Sequence, residues 1–145
     1  DLKALPPMVA AIADDGYEVA IGSRLTKGSE VVDRTLKREI TSRGYNFLIH
    51  LFFPLTKWKD AQCGFKAISR RTAENVLPLV KDNAWFLDTE LLLLAGKAGY
   101  DIKEIPVHWE DDPDTRVKIV STAWEDVKGL LRLRFKGRPV PPSAS

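Results

Sequence analysis

Arginines gather along one stretch of the chain: Arg24, Arg34, Arg38 and Arg43. A guanidinium is a planar fork whose donors match the oxygens of a phosphate. Each of these side chains can equally belong to a solvated basic helix face. Arg24 stands apart from the others. It follows Gly22-Ser23 at the end of the alternating run Tyr17 to Ile21. Strand ends of open α/β sheets are where ligands bind, and a merely solubilising charge has little reason to sit there.

Three further groups could carry chemistry. In Asp60-Ala-Gln-Cys-Gly-Phe-Lys66, the polar side chains Asp60, Gln62 and Lys66 flank a glycine that permits close backbone approach. Cys63 and Phe65 read as the turn into a core strand. In Trp85-Phe-Leu-Asp-Thr-Glu90, two carboxylates stand at a helix start, where the helix dipole favours them. Capping alone accounts for Asp88. After Trp109, the acids Glu110, Asp111, Asp112 and Asp114 precede Arg116 and Lys118. A lid over a charged ligand and a solvated loop are both open readings. Lastly, Lys128, Arg132, Arg134, Lys136 and Arg138 follow one another with no acid between them. A basic amphipathic end suits an anionic membrane surface. Core packing with a solvated tail is the alternative.

The elements that must position these residues follow from periodicity and punctuation. Leu2 to Asp15 reads as a helix stopped by Gly16, with Pro6 and Pro7 in its first turn. Tyr17 to Ile21 is a strand, and Lys27 to Asp33 a polar loop. Arg34 to Phe53 is one long helix, basic in its first half, apolar in its second and ended by Pro54. Gln62 to Ile68 is a short buried strand. Ser69 caps a helix from Arg70 to Leu77. Asp88 or Thr89 starts a helix over Glu90 to Lys97, closed by Gly99. Ile102 to Trp109 is a strand with Ile105, Val107 and Trp109 on one face, and Ser121 caps a last helix to about Phe135. Helix and strand alternating in this order predict an α/β fold with a largely parallel sheet. One domain over residues 1–136 and a disordered Pro/Ser-rich tail over 137–145 are expected.

Composition narrows the field. The chain has 145 residues, 44% hydrophobic and 29% charged, with a net charge of +2. That is an ordinary globular balance, too weakly basic to point to nucleic acid. The single cysteine, Cys63, excludes an internal disulfide and suits a reducing compartment. The longest apolar run, Phe47 to Leu55, is too short to cross a bilayer, which takes about 20 residues. The chain starts at Asp1 and enters a helical pattern at once, as the middle of a longer protein would.

Taken in order, the blocks Glu-Val-Ala-Ile-Gly-Ser-Arg24, Lys-Arg38-Glu, Asp60-Ala-Gln-Cys-Gly-Phe-Lys66, Trp85-Phe-Leu-Asp-Thr-Glu90-Leu-Leu and Ile-Pro-Val-His-Trp109 resemble the dolichyl-phosphate mannosyl- and glucosyltransferases. These are family 2 glycosyltransferases of the GT-A type. The resemblance covers about residues 1 to 135. It implies the C-terminal part of a Rossmann-like fold with a mixed, mainly parallel sheet. The nucleotide-binding half and most of an Asp-x-Asp metal motif would lie upstream, with Asp1 matching the last acid of that motif.

The implied reaction moves a hexose, with inversion, from UDP-glucose or GDP-mannose to a polyprenyl phosphate. A Mg²⁺ or Mn²⁺, held in part by Asp1, would neutralise the leaving diphosphate. The acceptor phosphate is already anionic near pH 7, its second pKa being about 6, so a strong base is not required. Arg24 and Arg38 would clamp it. Asp60 matches an acceptor-site position and would orient an arginine or sugar hydroxyls, with base catalysis as its second role. Ser23, Gln62 and Lys66 would contact substrate, and Arg116 and Lys118 would close over the donor. The wording of the blocks leans toward the glucosyl branch. The expected location is peripheral, on the cytoplasmic face of a membrane. By itself the chain is expected to be inactive. A soluble or polysaccharide acceptor, or a binding module without catalysis, are the rival readings.

Overall fold

The computed structural model describes residues 2–32, 35–110, 119–136 and 142, with the side chains of 119–121 excepted. A 3-10 turn at Leu2–Ala4 leads into α1, Leu5–Ala13, whose first turn accommodates Pro6 and Pro7. Gly16, at φ +76°, turns the chain into β1, Val19–Ser23. β1 is buried throughout because it is the middle strand of a three-stranded sheet. On one side it pairs antiparallel with β3, Lys66–Ile68, and on the other parallel with β4, Ile102–Pro106.

The alternation of β1 divides the core. Val19 and Ile21 face a large cluster built with α2 (Leu36–Phe52), α4 (Leu87–Lys97) and α5 (Ile119–Phe135). Ala20 faces the opposite way, against Met8 and Ala11 of α1 and against Ile105 and Val107. A central strand with a helix layer on each face is the doubly covered arrangement that an α/β pattern predicts.

Several boundaries differ from the sequence reading. The polar loop after Lys27 contains a strand, β2, Glu30–Val32, largely exposed, whose only apolar residues, Val31 and Val32, are too short a run to mark it. The strand expected over Gln62 to Ile68 forms only at β3: Gln62 N–H turns back to Asp60 Oδ1, and Phe65 keeps a single bond to β1, from Gly22 N–H to its carbonyl. The strand expected from Ile102 to Trp109 is cut in two, β4 and then β5, His108–Glu110. Pro106, paired with Ser23 at the ladder's end, has no N–H with which to continue it. Val107 bridges the sheets: its N–H donates to the Ser23 carbonyl, and its own carbonyl accepts from Glu30 N–H. β5 then pairs parallel with β2 in a separate two-stranded sheet. Ile105, Val107 and Trp109 do share one face, packed on the α1 side.

Helix ends show similar adjustments. Thr35 caps α2 through a bond from Arg38 N–H, and Ser69 caps α3, Arg70–Asn75, through Thr72 N–H. α4 begins at Leu87 with no side-chain cap, so Asp88 and Thr89 lie inside its first turn. α5 begins at Ile119, which puts Ser121 within the helix. Of the tail expected to be disordered, 137–141 and 143–145 lie outside the described residues.

Candidate acceptor site at the end of the central strand

The Gly-Ser-Arg motif and the Asp60 to Lys66 block, thirty-odd positions apart in sequence, interlock. Gly22 N–H donates to the Phe65 carbonyl at 2.8 Å. A Cβ on Gly22 would lie 3.2 Å from Cys63 Sγ and 3.3 Å from that same carbonyl, so the glycine is what lets the block close on β1. Ser23 is buried; its carbonyl accepts from Ser29 Oγ, and its Oγ accepts from Leu25 N–H.

Arg24, the next residue, meets Asp60 three times. Its backbone N–H donates to Asp60 Oδ2 at 2.9 Å, Nε donates to Oδ2 at 2.8 Å, and Nη2 donates to Oδ1 at 2.9 Å. The pair is two-pronged and sunk in the protein, with the Asp60 side chain 0% and Arg24 13% exposed. Burial pushes the Asp60 carboxyl up. The hydrogen bonds and charge of Arg24, with a bond from Gln62 N–H, outweigh it and hold Asp60 below the usual carboxylate range. Asp60 is thus an ionised group committed to orienting a guanidinium. The guanidinium also lies 5.4 Å from the centre of the Trp109 ring, which closes it from a second side.

The rest of the block is pinned from beneath. Asn46 Oδ1, from the buried side of α2, accepts from Ala61 N–H at 3.1 Å. Glu104 Oε1, from β4, accepts from the N–H groups of Lys59 and Asp60. Lys66 Nζ donates to the carbonyls of Ala61 and Cys63 and pairs with Asp88 at 3.2 Å, with 7% of its side chain exposed. Burial lowers the Lys66 pKa, and Asp88 partly restores it. Burial likewise raises that of the Cys63 thiol. Lys66 and Asp88 therefore tie the block to α4. Gln62 Nε2 donates to Asp126 Oδ2 of α5 at 2.7 Å.

The structure thus joins Ser23, Arg24, Asp60, Gln62 and Lys66 in one assembly. Arg38 lies in the first turn of α2, half-buried, one turn past the Thr35 cap. Asp1, Arg34, Arg116 and Lys118 fall outside the described residues. Among the described residues, no group of three or more His, Cys, Asp or Glu is disposed to hold a metal ion. Asn46 and Asp126 were missed in the sequence. Each is a polar residue on the buried stripe of its helix, Asn46 beside Ser42 and Ile49, Asp126 in register with Leu130 and Leu133. That interruption of an apolar stripe was the available signal. A groove of about 680 Å³ opens elsewhere, among Phe52, Trp58, Leu92, Tyr100 and Ile102, and none of the assembled residues lines it.

The structure thus sets an arginine at the end of the central strand and fixes its plane with a buried carboxylate. Glycosyltransferases of other organisms contain a similar segment. A glycosyltransferase of Haloferax volcanii, AglD, is 42% identical over 130 residues, 90% of this chain and 20% of its own length. The dolichyl-phosphate β-glucosyltransferase of Saccharomyces cerevisiae is 30% identical over 119 residues, 81% of this chain and 35% of its own. That of Drosophila melanogaster is 34% identical over 109 residues, 74% of this chain and 32% of its own. The chain is homologous to the dolichyl-phosphate glycosyltransferases. No family model matches it. The chain spans well under half the length of these glycosyltransferase relatives, so it corresponds to a part of them, and its mixed, mainly parallel sheet is compatible with the later part of a Rossmann-like transferase fold.

Proposed function

We propose that this chain is the acceptor-side part of an inverting transferase that moves a hexose from a nucleotide sugar to a polyprenyl phosphate. The observation that supports it most is the Arg24–Asp60 pair, locked at the end of β1. A hydroxyl acceptor needs a base to remove its proton. A phosphate acceptor is already ionised and needs a cation to bring it against a second anion, the donor diphosphate. Asp60 is a poor base here, because both of its oxygens are bound to Arg24, which lowers their affinity for a proton. Its role is to fix the guanidinium plane, so that none of the ordering cost is left to substrate binding. Arg24 receives the acceptor phosphate, and Arg38, at the start of α2, adds a second cation. Gln62 contacts the sugar, while Lys66 acts from within by holding the block's carbonyls.

A divalent cation, with Asp1 as one ligand, and closure of Arg116 and Lys118 over the donor are carried by the family resemblance. Glucose is the favoured sugar, since the yeast and fly relatives are named glucosyltransferases.

Membrane contact completes the reading. Leu36, Ile40, Phe47 and Leu51 are exposed on α2 at spacings that share a face, and Leu55 beyond it is 92% exposed. No described helix is long and apolar enough to cross a membrane. A lipid acceptor explains why such a face meets the outside: it lies in the interface, with Lys37 and Arg43 placed near anionic headgroups. The cytoplasmic leaflet is the side where anionic lipid is concentrated.

The test is transfer from radiolabelled UDP-glucose and GDP-mannose to a short-chain polyprenyl phosphate by the full-length protein. The expected result is a lipid-linked, β-configured hexose, formed faster from UDP-glucose and abolished by Arg24→Ala. Undiminished transfer by Arg24→Ala would overturn the assignment of the acceptor phosphate.

A further inference from the structure

We propose that Asp126 is a positioning residue for the acceptor block: it decides which end of the Gln62 amide is turned toward substrate, and a proton on Asp126 changes that decision. The inference rests on the reading of Asp60 to Lys66 as the acceptor side.

Asp126 sits on the inner stripe of α5, 1% exposed. Its Oδ2 accepts from Gln62 Nε2 at 2.7 Å. Its Oδ1 is shut from solvent and has no hydrogen-bond partner among the described residues. An ionised carboxylate can only accept. It can therefore hold only the nitrogen end of the Gln62 amide, and the planar amide then turns its oxygen the other way. A carboxylic acid can also donate. Once the carboxyl is protonated with its hydrogen on Oδ2, the oxygen that faces Gln62, the oxygen end of the amide becomes an equally good partner, and the amide is able to flip and present its NH₂. The ionised form thus offers an acceptor, which suits a sugar hydroxyl. The neutral form offers a donor, which suits a phosphate oxygen.

Among the described residues, the groups that face Asp126 are Gln62 from the block, Tyr45 from α2 and Asp82 from the segment before α4; none of these is a cation. Tyr45 is spoken for, its hydroxyl donating to Thr89 Oγ1 at 3.0 Å. On α5 itself the charged neighbours are paired, Lys128 with Glu125 and Arg132 with Glu90. Burial first, and then the like charge of Asp82, push the Asp126 carboxyl up to about 7, so both forms are populated near neutrality.

Gln62 is the single glutamine among the 145 residues, so little else in this segment can obscure it. In the full-length protein labelled with ¹⁵N-glutamine, its side-chain amide signals are identified by their loss in Gln62→Leu. The expected result is that they shift with pH around neutrality, stay fixed in Asp126→Asn, and shift at lower pH in Asp82→Asn. In transfer assays, the KM for the nucleotide sugar steps at the same pH in the parent protein. In Asp126→Asn the step is gone and KM is changed about two- to tenfold, what one hydrogen bond is worth, with little change in kcat. Amide signals that do not titrate, or that titrate identically in Asp126→Asn, would overturn the proposal. Titration that depends on Asp126, in a protein that transfers no sugar to lipid phosphate, supports the switch and overturns the acceptor reading on which it was placed.

Discussion

Gly22 and Val107 approach so closely that a Cβ on Gly22 would lie 2.8 Å from Val107 Cγ1. The contact joins the end of β1 to the hinge between the two sheets. Val107 is buried and β-branched, so it has no spare rotamer into which to retreat. Gly22→Ala is expected to cost about 1–3 kcal/mol by overpacking, measured by chemical denaturation. Adding Val107→Ala to the same chain should recover part of that loss.

Asp60 and Arg24 should depend on each other far more than a surface pair does. Arg24→Ala leaves a fully buried carboxylate without its partner, a loss of about 3–5 kcal/mol. Asp60→Asn should be milder, since an amide can still meet Arg24 with one oxygen. A double-mutant cycle measures the coupling, and a value no larger than an exposed pair's would show that the buried geometry contributes nothing.

The same pair predicts a pH response. The carboxyl of Asp60 is held lower in the folded protein than in the unfolded chain, so folding favours its ionised form. Its contribution is present above the unfolded value, about 4, and is lost as pH falls through the folded one. Urea midpoints of the parent should drop at acid pH more steeply than those of Asp60→Asn.

Gly129 of α5 lies against Phe86, where a Cβ would come within 2.5 Å of the ring. Phe86 is itself 1% exposed, and the Arg132 guanidinium lies 6.0 Å from the centre of its ring and pairs with Glu90 at 2.7 Å. Gly129→Ala should therefore lift α5 from its seat, with a cost of about 1–3 kcal/mol. Hydrogen exchange should rise in α5 before it rises in β1. Phe86→Leu in the same chain should relieve the clash.

The exposed face of α2 gives a prediction that stability measurements cannot mimic. Phe47 and Leu51, 67% and 63% exposed, contribute little to the fold. Replacing both with Ser should leave the melting temperature unchanged. If the face enters a bilayer, the same change weakens partitioning onto vesicles about tenfold or more, since each large apolar side chain contributes about 1.5–3 kcal/mol on burial. Unchanged binding to vesicles would remove α2 from the membrane.

Much of this was legible in order along the chain. The helix α2 ending before Pro54, the Ser69 cap, Gly99 after α4 and the strand before Arg24 all rest on local rules of capping, punctuation and periodicity. The motif blocks pointed to a glycosyltransferase relative because their residue types recur in that order. Such signals are carried by neighbours in sequence, and a linear reading finds them.

What the tertiary structure decided was partnership. Nothing near Arg24 in sequence says that Asp60 would grip it, and nothing near Lys66 says that it would turn inward to two carbonyls and Asp88. Nor does the pattern of α5 mark Asp126 as the partner of Gln62. The pairs Arg24–Asp60, Lys66–Asp88 and Gln62–Asp126 each span elements brought together by burying Val19 and Ile21 against the helices and Ala20 against α1. A residue type states what chemistry a side chain can do. Which chemistry it is left to do depends on which of its donors and acceptors the fold has already used, and that is settled only when distant segments share one core.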